Sequence, residues 1–429
     1  MTGTKPLSFL SILLLLALMT PLQEVFPQLE IGADIRPRFE YRHGFGNLFP
    51  DNADPAAFVV QRSRLNVDYK LDRLSMAVNI QDVSVWGDTR QIDPADSNNS
   101  FSLFQAWVAY EISENWSTKL GRQVISYDDE RIFGELDWAM QGRFHDAALL
   151  RYNKDRFKAD LGFAFSQEGL NFEGNGFFLQ GAFTYKAMQF AHLKQTWDRA
   201  SASFLLLNTG FQDFTDATNT VPDGVYYRHT VGSHFTFPVS ALNLIGSAYY
   251  QGGKANGSTD LSSYNLALEA NYKPNKTLYG LGFEVLSGTD QDGDTKNRSF
   301  FPLYGTNHKF NGFMDYFYVG NHANNVGLND FYAKAVFKTG EKSTLLTKVH
   351  YFGANADLSN DADAYLGTEV DLVYTQQLMK AVKLNIGYSH MFASESMSLI
   401  KGGRPNDNTN NWAWAQLTIK PTLFSTKKE

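Results

Sequence analysis

Cysteine is missing from all 429 positions of the chain, which excludes disulfides, thiolate nucleophiles, Cys-ligated zinc and cysteine lipidation together. Positive charge is in deficit: 38 Lys and Arg against 45 Asp and Glu leave a net charge of −7. No global basic field therefore argues for nucleic acid or an anionic membrane surface as partner. Past Met19 no apolar run approaches the roughly twenty residues of a spanning helix, so a helical membrane protein is excluded. Catalytic signatures are missing too, with no G-x-S-x-G, H-E-x-x-H or G-x-x-x-x-G-K-[ST]. Nine histidines are present, but His229 and His234, on one strand, fall on opposite parities, and no ligand cluster emerges.

What is present begins with Lys5 and the apolar run Leu7–Met19. That layout predicts a secretory signal peptide over residues 1–28, cleaved between about Pro21 and Gln28, with residues 29–429 as one mature domain. From Glu30 to Arg42 one parity holds Ile31, Ala33, Ile35, Pro37, Phe39 and Tyr41, the other Glu30, Asp34, Arg36, Arg38, Glu40 and Arg42. Period two over a dozen residues is a half-buried strand, and its length suits a tilted membrane strand of about nine to eleven residues. Residues 62–71 repeat it, with Arg62, Arg64 and Asp68 on the polar face and Leu65, Val67 and Tyr69 on the other.

The same reading continues at 74–86, 102–112, 117–125, 145–152, 157–166, 183–193, 201–211, 225–237, 242–251, 263–273, 277–287, 328–338, 343–353, 365–376, 382–393 and 412–424, an even eighteen strands in all. Spacers alternate between short, such as 72–73, 113–115 and 339–342, and long, such as 44–57, 126–144 and 288–327. Short turns on one rim and long loops on the other predict an all-β fold, a transmembrane antiparallel up-and-down β-barrel in an outer membrane, with both termini periplasmic. Closure is the physical reason, because a sheet in hydrocarbon tolerates no edge. Tyr41, Tyr69, Tyr110, Trp116, Tyr152, Tyr272, Tyr279, Tyr374 and Trp412 fall near strand ends, where amphipathic rings favour the membrane interface.

The inward charges are the sharpest functional signal. Arg36, Arg38, Arg42, Arg62 and Arg64 lie on two neighbouring strands, and Arg122, Arg143 and Arg151 on or beside the next charged pair. A planar guanidinium donates two parallel hydrogen bonds to a carboxylate and stays ionised, so such a ladder is expected to pass carboxylates along a lumen. The acidic partners Asp34, Glu40, Asp68, Glu284, Glu369 and Asp371 would keep each site weak, as conduction requires, or would simply tie up the arginines in a stiffening ion-pair network. Asp290, Asp292 and Asp294 resemble the start of a calcium loop. The glycine is misplaced at Gly293 and Phe301 stands where a bidentate Glu belongs, so no cofactor is expected and a solvated loop is the better reading.

The stretch 121–146 carries a resemblance. GRQ at 121–123, DDERIFG at 128–134, Trp138 and GRFHD at 142–146, together with RSR at 62–64, YRHTVG at 227–232, SGTDQDGD at 287–294 and FFPLYGTNHKFNGFMDYF at 300–317, resemble the alginate export family of outer-membrane channels. The resemblance implies an eighteen-stranded barrel moving an anionic polyuronate outward through a basic constriction, with Arg36, Arg38, Arg62, Arg64, Arg122, Arg131 and Arg143 at motif positions. Arg122 and Arg143 are expected to face the pore, Arg131 to face the pore or pair with Asp128 or Asp129, and 126–144 to be an extracellular loop. Expected partners are outer-membrane lipid, anionic polysaccharide or small anions, and periplasmic secretion proteins, with a monomeric barrel. The rivals are a general or small-anion uptake porin on the same fold and, remotely, an outer-membrane hydrolase. One departure stands out: outer-membrane chains usually end on an aromatic residue, whereas Phe424 is followed by STKKE and lies on the parity of Thr418 and Thr422.

Overall fold

The computed structural model describes residues 27–89, 100–179, 181, 183–216, 218–293, 295–317, 322 and 325–427. Of the expected signal peptide only residues 27 and 28 lie within them. The strands are β1 (Gln28–His43), β2 (Ala56–Leu71), β3 (Leu74–Val85), β4 (Phe101–Glu111), β5 (Trp116–Gln123), β6 (His145–Lys154), β7 (Phe157–Phe165), β8 (Ala187–Thr196), β9 (Ser201–Phe214), β10 (Pro222–Val239), β11 (Leu242–Lys254), β12 (Asp260–Tyr272), β13 (Leu278–Leu286), β14 (Leu328–Lys338), β15 (Ser343–Gly353), β16 (Tyr365–Met379), β17 (Val382–Ala393), β18 (Asn410–Ile419) and β19 (Thr422–Ser425). Each pairs antiparallel with its sequence neighbour from β1 to β18, and β1 closes the ring on β18 and β19. The last predicted strand is thus two segments of one stave, and the barrel has eighteen staves.

The break falls at Lys420–Pro421, where proline has no N–H to give the ladder. It also resolves the anomaly at the C-terminus. The register slips by one residue between Ile31 and Gly32, which sets Phe424 opposite Ile31. A one-residue slip turns a side chain to the other face, so Phe424 stands with Ile31 on the outward side, 51% exposed.

Short turns obey local chemistry. The two-residue turns at 72–73, 155–156 and 240–241 open on Asp72, Asp155 and Ser240, whose φ values of 50°, 51° and 54° lie in the left-handed region that hairpins require. Above them the strands alternate as lipid demands. On β1, Asp34, Arg36, Arg38 and Glu40 are buried inward while Ile35 and Phe39 face outward. Leu281, 68% exposed near the middle of β13, belongs to the same apolar band. Leu281→Arg is expected to destabilise the inserted barrel by about 2–4 kcal/mol, read by reversible denaturant unfolding from vesicles, whereas Leu281→Val should be nearly silent. Tyr110, Trp116, Tyr272 and Tyr279 are exposed at strand ends as an aromatic girdle requires, but Trp412 is fully buried. It faces the lumen, donating from Nε1 to Glu40 Oε2 (3.1 Å).

Two long loops depart from the expected extracellular position and enter the barrel. Segment 124–144 meets segment 287–327 through a parallel bridge at Phe133 and Tyr304. Gly134 N donates to Tyr304 O (2.9 Å), Tyr304 N to Ile132 O (3.0 Å) and Thr306 N to Glu130 O (2.9 Å). Their apolar side chains Ile132, Phe133, Leu303, Met314 and Tyr316 pack on inward residues Leu149, Met188, Leu205, Phe352 and Trp412. The hydrophobic core therefore sits inside the barrel, which frees the outer face for lipid. Tyr316 Oη, donating to Gly44 O (2.5 Å), fastens the second loop to the 44–55 loop. Lys401, following the short helix α1 (Glu395–Ile400), donates to Tyr316 O. Burial lowers the Lys401 ammonium pKa to about 7.

Candidate functional site

Alternation on β1 and β2 builds the ladder. Register sets Arg36 opposite Arg62 and Asp34 opposite Arg64, and paired residues in a sheet share a face. Five inward arginines on two adjacent strands would repel one another unless compensated. The compensation comes from the strands and from the entering loop. Arg36 Nη2 reaches Asp34 Oδ2 (3.3 Å) and Asp137 Oδ2 (3.0 Å), and Arg62 bridges the same two carboxylates, Asp34 Oδ2 at 2.5 Å and Asp137 Oδ1 at 3.0 Å. Arg38 Nε donates to Glu40 Oε1 (2.8 Å), and Arg42 Nη2 lies 2.8 Å from Glu40 Oε2. Arg64 differs. It donates to Gln81 Oε1, with its guanidinium 3.6 Å from the Phe104 ring centre.

Five arginines against the three carboxylates Asp34, Glu40 and Asp137 leave two positive charges over. Burial opposes ionisation of Asp137, but the charges of Arg36, Arg62 and Lys420 outweigh it and hold its carboxyl below the usual range. Backbone carbonyls of the same loop take further guanidinium donors: Asp137 O from Arg36 Nη1 (2.8 Å) and Trp138 O from Arg38 Nη1 (2.9 Å).

Trp138 divides the space beside the ladder. On one side a cavity of about 410 Å³ reaches the short turn at 380–381, lined by Arg36, Asp137, Lys380, Lys383, Trp414 and Lys420. On the other a cavity of about 280 Å³ lies toward the long loops, lined by Arg38, Arg42, Phe45, Trp138 and His308. The Trp138 indole is clamped, with the Arg38 guanidinium 4.0 Å from its ring centre and the His308 ring stacked at 4.3 Å and 11°.

The wall from β13 to β16 carries the acidic residues. Glu284 Oε1 forms an ion pair with Arg131, 2.7 Å from its Nε. Asp330 lies 2.7 Å from His350 Nδ1, and Asp371 accepts from Ser389 Oγ (2.5 Å). Glu369 accepts from Met314 N (2.9 Å). Gly312 passes so close above it, at a φ of +86°, that a Cβ would meet both Glu369 oxygens at 2.7 Å. Glu369 thus holds the second loop and Asp371 ties β16 to Ser389 on β17, and neither contacts an arginine of the ladder.

The other candidates scatter. Arg122 pairs with Asp146 (2.9 Å) and stands opposite Asp146 and Ala106, on the same parity of β5 as the exposed Leu120. It faces outward near the long-loop rim, so its lumen assignment is corrected. Arg131 pairs with Glu284, not with the side chain of Asp128 or Asp129, although its backbone N donates to Asp129 Oδ1 (3.1 Å). It is 1% exposed and braces the two loops. Arg143 does the same, donating to Gly305 O (3.0 Å) with Phe183 under its guanidinium. Arg151 faces the lumen but pairs with Asp160 (3.5 Å), on β6 and β7 and away from the ladder strands. Asp68 stands opposite Glu30 at the short-turn rim. Asp128 serves structure too. Burial raises its carboxyl pKa, but hydrogen bonds from His192 and Ser203 and the charge of Lys194 outweigh burial and hold it well below the usual range. In the suspected calcium loop Asp290 accepts from Asp357 N (2.9 Å), Asp294 lies outside the described residues, and no metal-type cluster occurs among the described residues.

Sequence reasoning missed Asp137 and the inward Trp412 and Trp414. The tryptophans share a parity with Gln416 and Thr418, which was a usable signal. Asp137 had none, because a loop has no period.

The geometry can be set beside known proteins. A family model described as alginate export matches residues 27–402. No curated protein matches. Among solved structures, Acinetobacter baumannii OccAB1 is 15% identical, covering 92% of this chain and 97% of that one at a TM-score of 0.62. Pseudomonas aeruginosa OpdQ is 14% identical, covering 92% and 98% at 0.58, and the outer membrane protein OpdK of P. aeruginosa is 8% identical, covering 92% and 98% at 0.58. At these identities the likeness concerns the fold, a closed barrel of bacterial outer membranes. With the family match spanning most of its length and the eighteen-stave barrel around it, the chain belongs to the alginate export family of outer-membrane channels.

Proposed function

We propose that this channel passively conducts anionic solutes past the β1–β2 ladder, with an alginate-like polyuronate as its cargo and export as its direction. One observation carries the reading: the cavity at the short-turn rim gathers Arg36, Lys380, Lys383 and Lys420 around a single carboxylate, Asp137. A cleft of one sign concentrates counter-ions at its mouth. With the short turns and both termini in the periplasm, the usual arrangement for such barrels, that mouth faces the compartment from which an exported chain enters. Beyond it the arginines are spaced about 7 Å apart along β1, two residues at a time, which supports hand-over between weak sites rather than capture at one tight site.

A small-anion uptake porin is the second reading, favoured by how fully the two inward loops fill the lumen. Single-channel recording in a planar bilayer separates them. Oligouronates added at the short-turn side are expected to block the current in a length-dependent way while neutral oligosaccharides of equal size do not, and indifference to both would sink the polyuronate reading. We assign the barrel no catalytic role, a reading that hydrolysis of ester or peptide substrates by the purified protein would overturn.

A further inference from the structure

Asp137 is the one ladder carboxylate that does not belong to the barrel wall. Asp34 and Glu40 are fixed on β1 with side chains 5% and 1% exposed, whereas the Asp137 side chain is 39% exposed, sits on a loop and lines the basic cavity at the short-turn rim. Its two oxygens are divided between Arg36 Nη2 and Arg62 Nη1, each at 3.0 Å. This is how a carboxylate arriving from solution would engage two guanidinium groups. Only Asp137 can leave this position without disturbing the sheet.

We propose that Arg36 and Arg62 form a carboxylate-binding subsite for which Asp137 is the tethered resident ligand, and that a uronate carboxylate entering from the basic cavity displaces it and frees the 135–140 segment. The inference rests on the polyuronate reading for the identity of the displacing ligand. Displacement reaches the gate through the chain itself. Trp138 follows Asp137 directly, separates the two cavities, and is held between Arg38 and His308. Once Asp137 leaves, the segment loses both of its ion pairs and keeps bonds between neutral backbone or hydroxyl acceptors and their donors, among them Arg36 to Asp137 O, Arg38 to Trp138 O, Arg62 to Met140 O and Leu136 N to Thr306 Oγ1. Binding and opening are then linked, because the ligand prefers the state in which the arginines have been vacated.

The test uses the whole barrel in planar bilayers, with trigalacturonate as probe and maltotriose as neutral control. Asp137→Asn keeps the side-chain shape and both backbone carbonyl bonds while removing the competing charge. Trigalacturonate is expected to block this variant at a concentration at least about fivefold below that for the unaltered channel, within the usual range of coupling between sites. Because the chain has no cysteine, Asp137→Cys offers a second route with specific labelling. Attaching a sulfonatoethyl group should restore the weaker block, and attaching a neutral carboxamidomethyl group should not. Heat-modifiable electrophoretic mobility verifies the barrel in each case. If the unaltered channel is blocked by trigalacturonate and Asp137→Asn is blocked no more readily, the resident-ligand inference is overturned and the polyuronate reading stands. If trigalacturonate blocks neither, the polyuronate reading falls. The subsite is then judged on acetate, whose permeability relative to potassium should rise in Asp137→Asn, and an unchanged ratio would overturn the inference too.

Discussion

Arg42→Glu together with Arg64→Glu is expected to turn the channel from anion-preferring to cation-preferring while leaving the barrel intact. The two changes shift the ladder by four charges, from five arginines against three carboxylates to three against five, so its excess moves from plus two to minus two. In a lumen with an effective dielectric constant near 20, a unit charge about 5 Å from a passing ion contributes roughly 3 kcal/mol. Even heavily screened, a reversal of that sign is expected to move the chloride-to-potassium permeability ratio by more than about tenfold. A reversal potential measured across a potassium chloride gradient reads this directly, and low salt should enlarge the effect. These two positions are chosen because the structure lets them go. Arg64 has Gln81 as its side-chain hydrogen-bond partner. The Arg42 side chain, although paired with Glu40, is 36% exposed, so a carboxylate placed there can turn to water while Glu40 keeps Arg38 and Trp412. Arg38 is the wrong place for the same experiment. It is buried with Nε 2.8 Å from Glu40, so Arg38→Glu would set two buried carboxylates against each other and damage folding rather than selectivity. An unchanged permeability ratio in the Arg42 and Arg64 double variant would mean that the ladder stiffens the wall and selects nothing.

The contrast between Arg38 and Arg64 also marks what can be read from the chain alone. That both face inward is legible, because hydrocarbon on one side enforces strict alternation, and the same constraint makes all eighteen staves visible with their boundaries mostly within a few residues. How each arginine is spent is not legible, because the partners come from loops without a period. Arg131 has three acidic neighbours in sequence and instead reaches Glu284, while Asp128 beside it is taken by His192, Lys194 and Ser203. Arg122 could have been placed correctly from alternation, since it shares its parity with Thr118 and Leu120 and opposes Lys119. Its motif position pointed inward while its strand pointed outward, and the strand decides. Phe424 is the reverse case, where alternation read straight through Pro421 misleads and a one-residue register shift restores the aromatic to the outer face.

Removal of the second inward loop tests the largest structural claim, that the core of this barrel is a plug made of loops. Thr289 N donates to Asn325 O (3.0 Å), and a Cβ on Gly288 would lie 1.9 Å from Val326 C, so the ends of the segment already touch. Replacing residues 290–324 by a short Gly-Ser linker therefore asks for no rearrangement of β13 or β14. The inter-strand ladder is untouched, and because the lipid-facing band is independent of the interior, the barrel should still insert and migrate as a folded species. What is lost is the packing of Leu303, Tyr304, Met314 and Tyr316, and the bonds that hold Glu284 and Glu369 through Asn311 and Met314. Water is then expected to enter, hydrate those carboxylates and relieve the cost of their lost partners. The first loop loses its bridge at Tyr304, and Trp138 loses the His308 ring that clamps it. Single-channel conductance should rise several-fold as the lumen widens toward that of an open porin of similar strand number, and discrimination between anions and cations should fall because the ladder no longer lies within a Debye length of every passing ion. A conductance unchanged by the deletion would place the conducting path wholly along the β1–β2 wall past Trp138, with the second loop as inert filling.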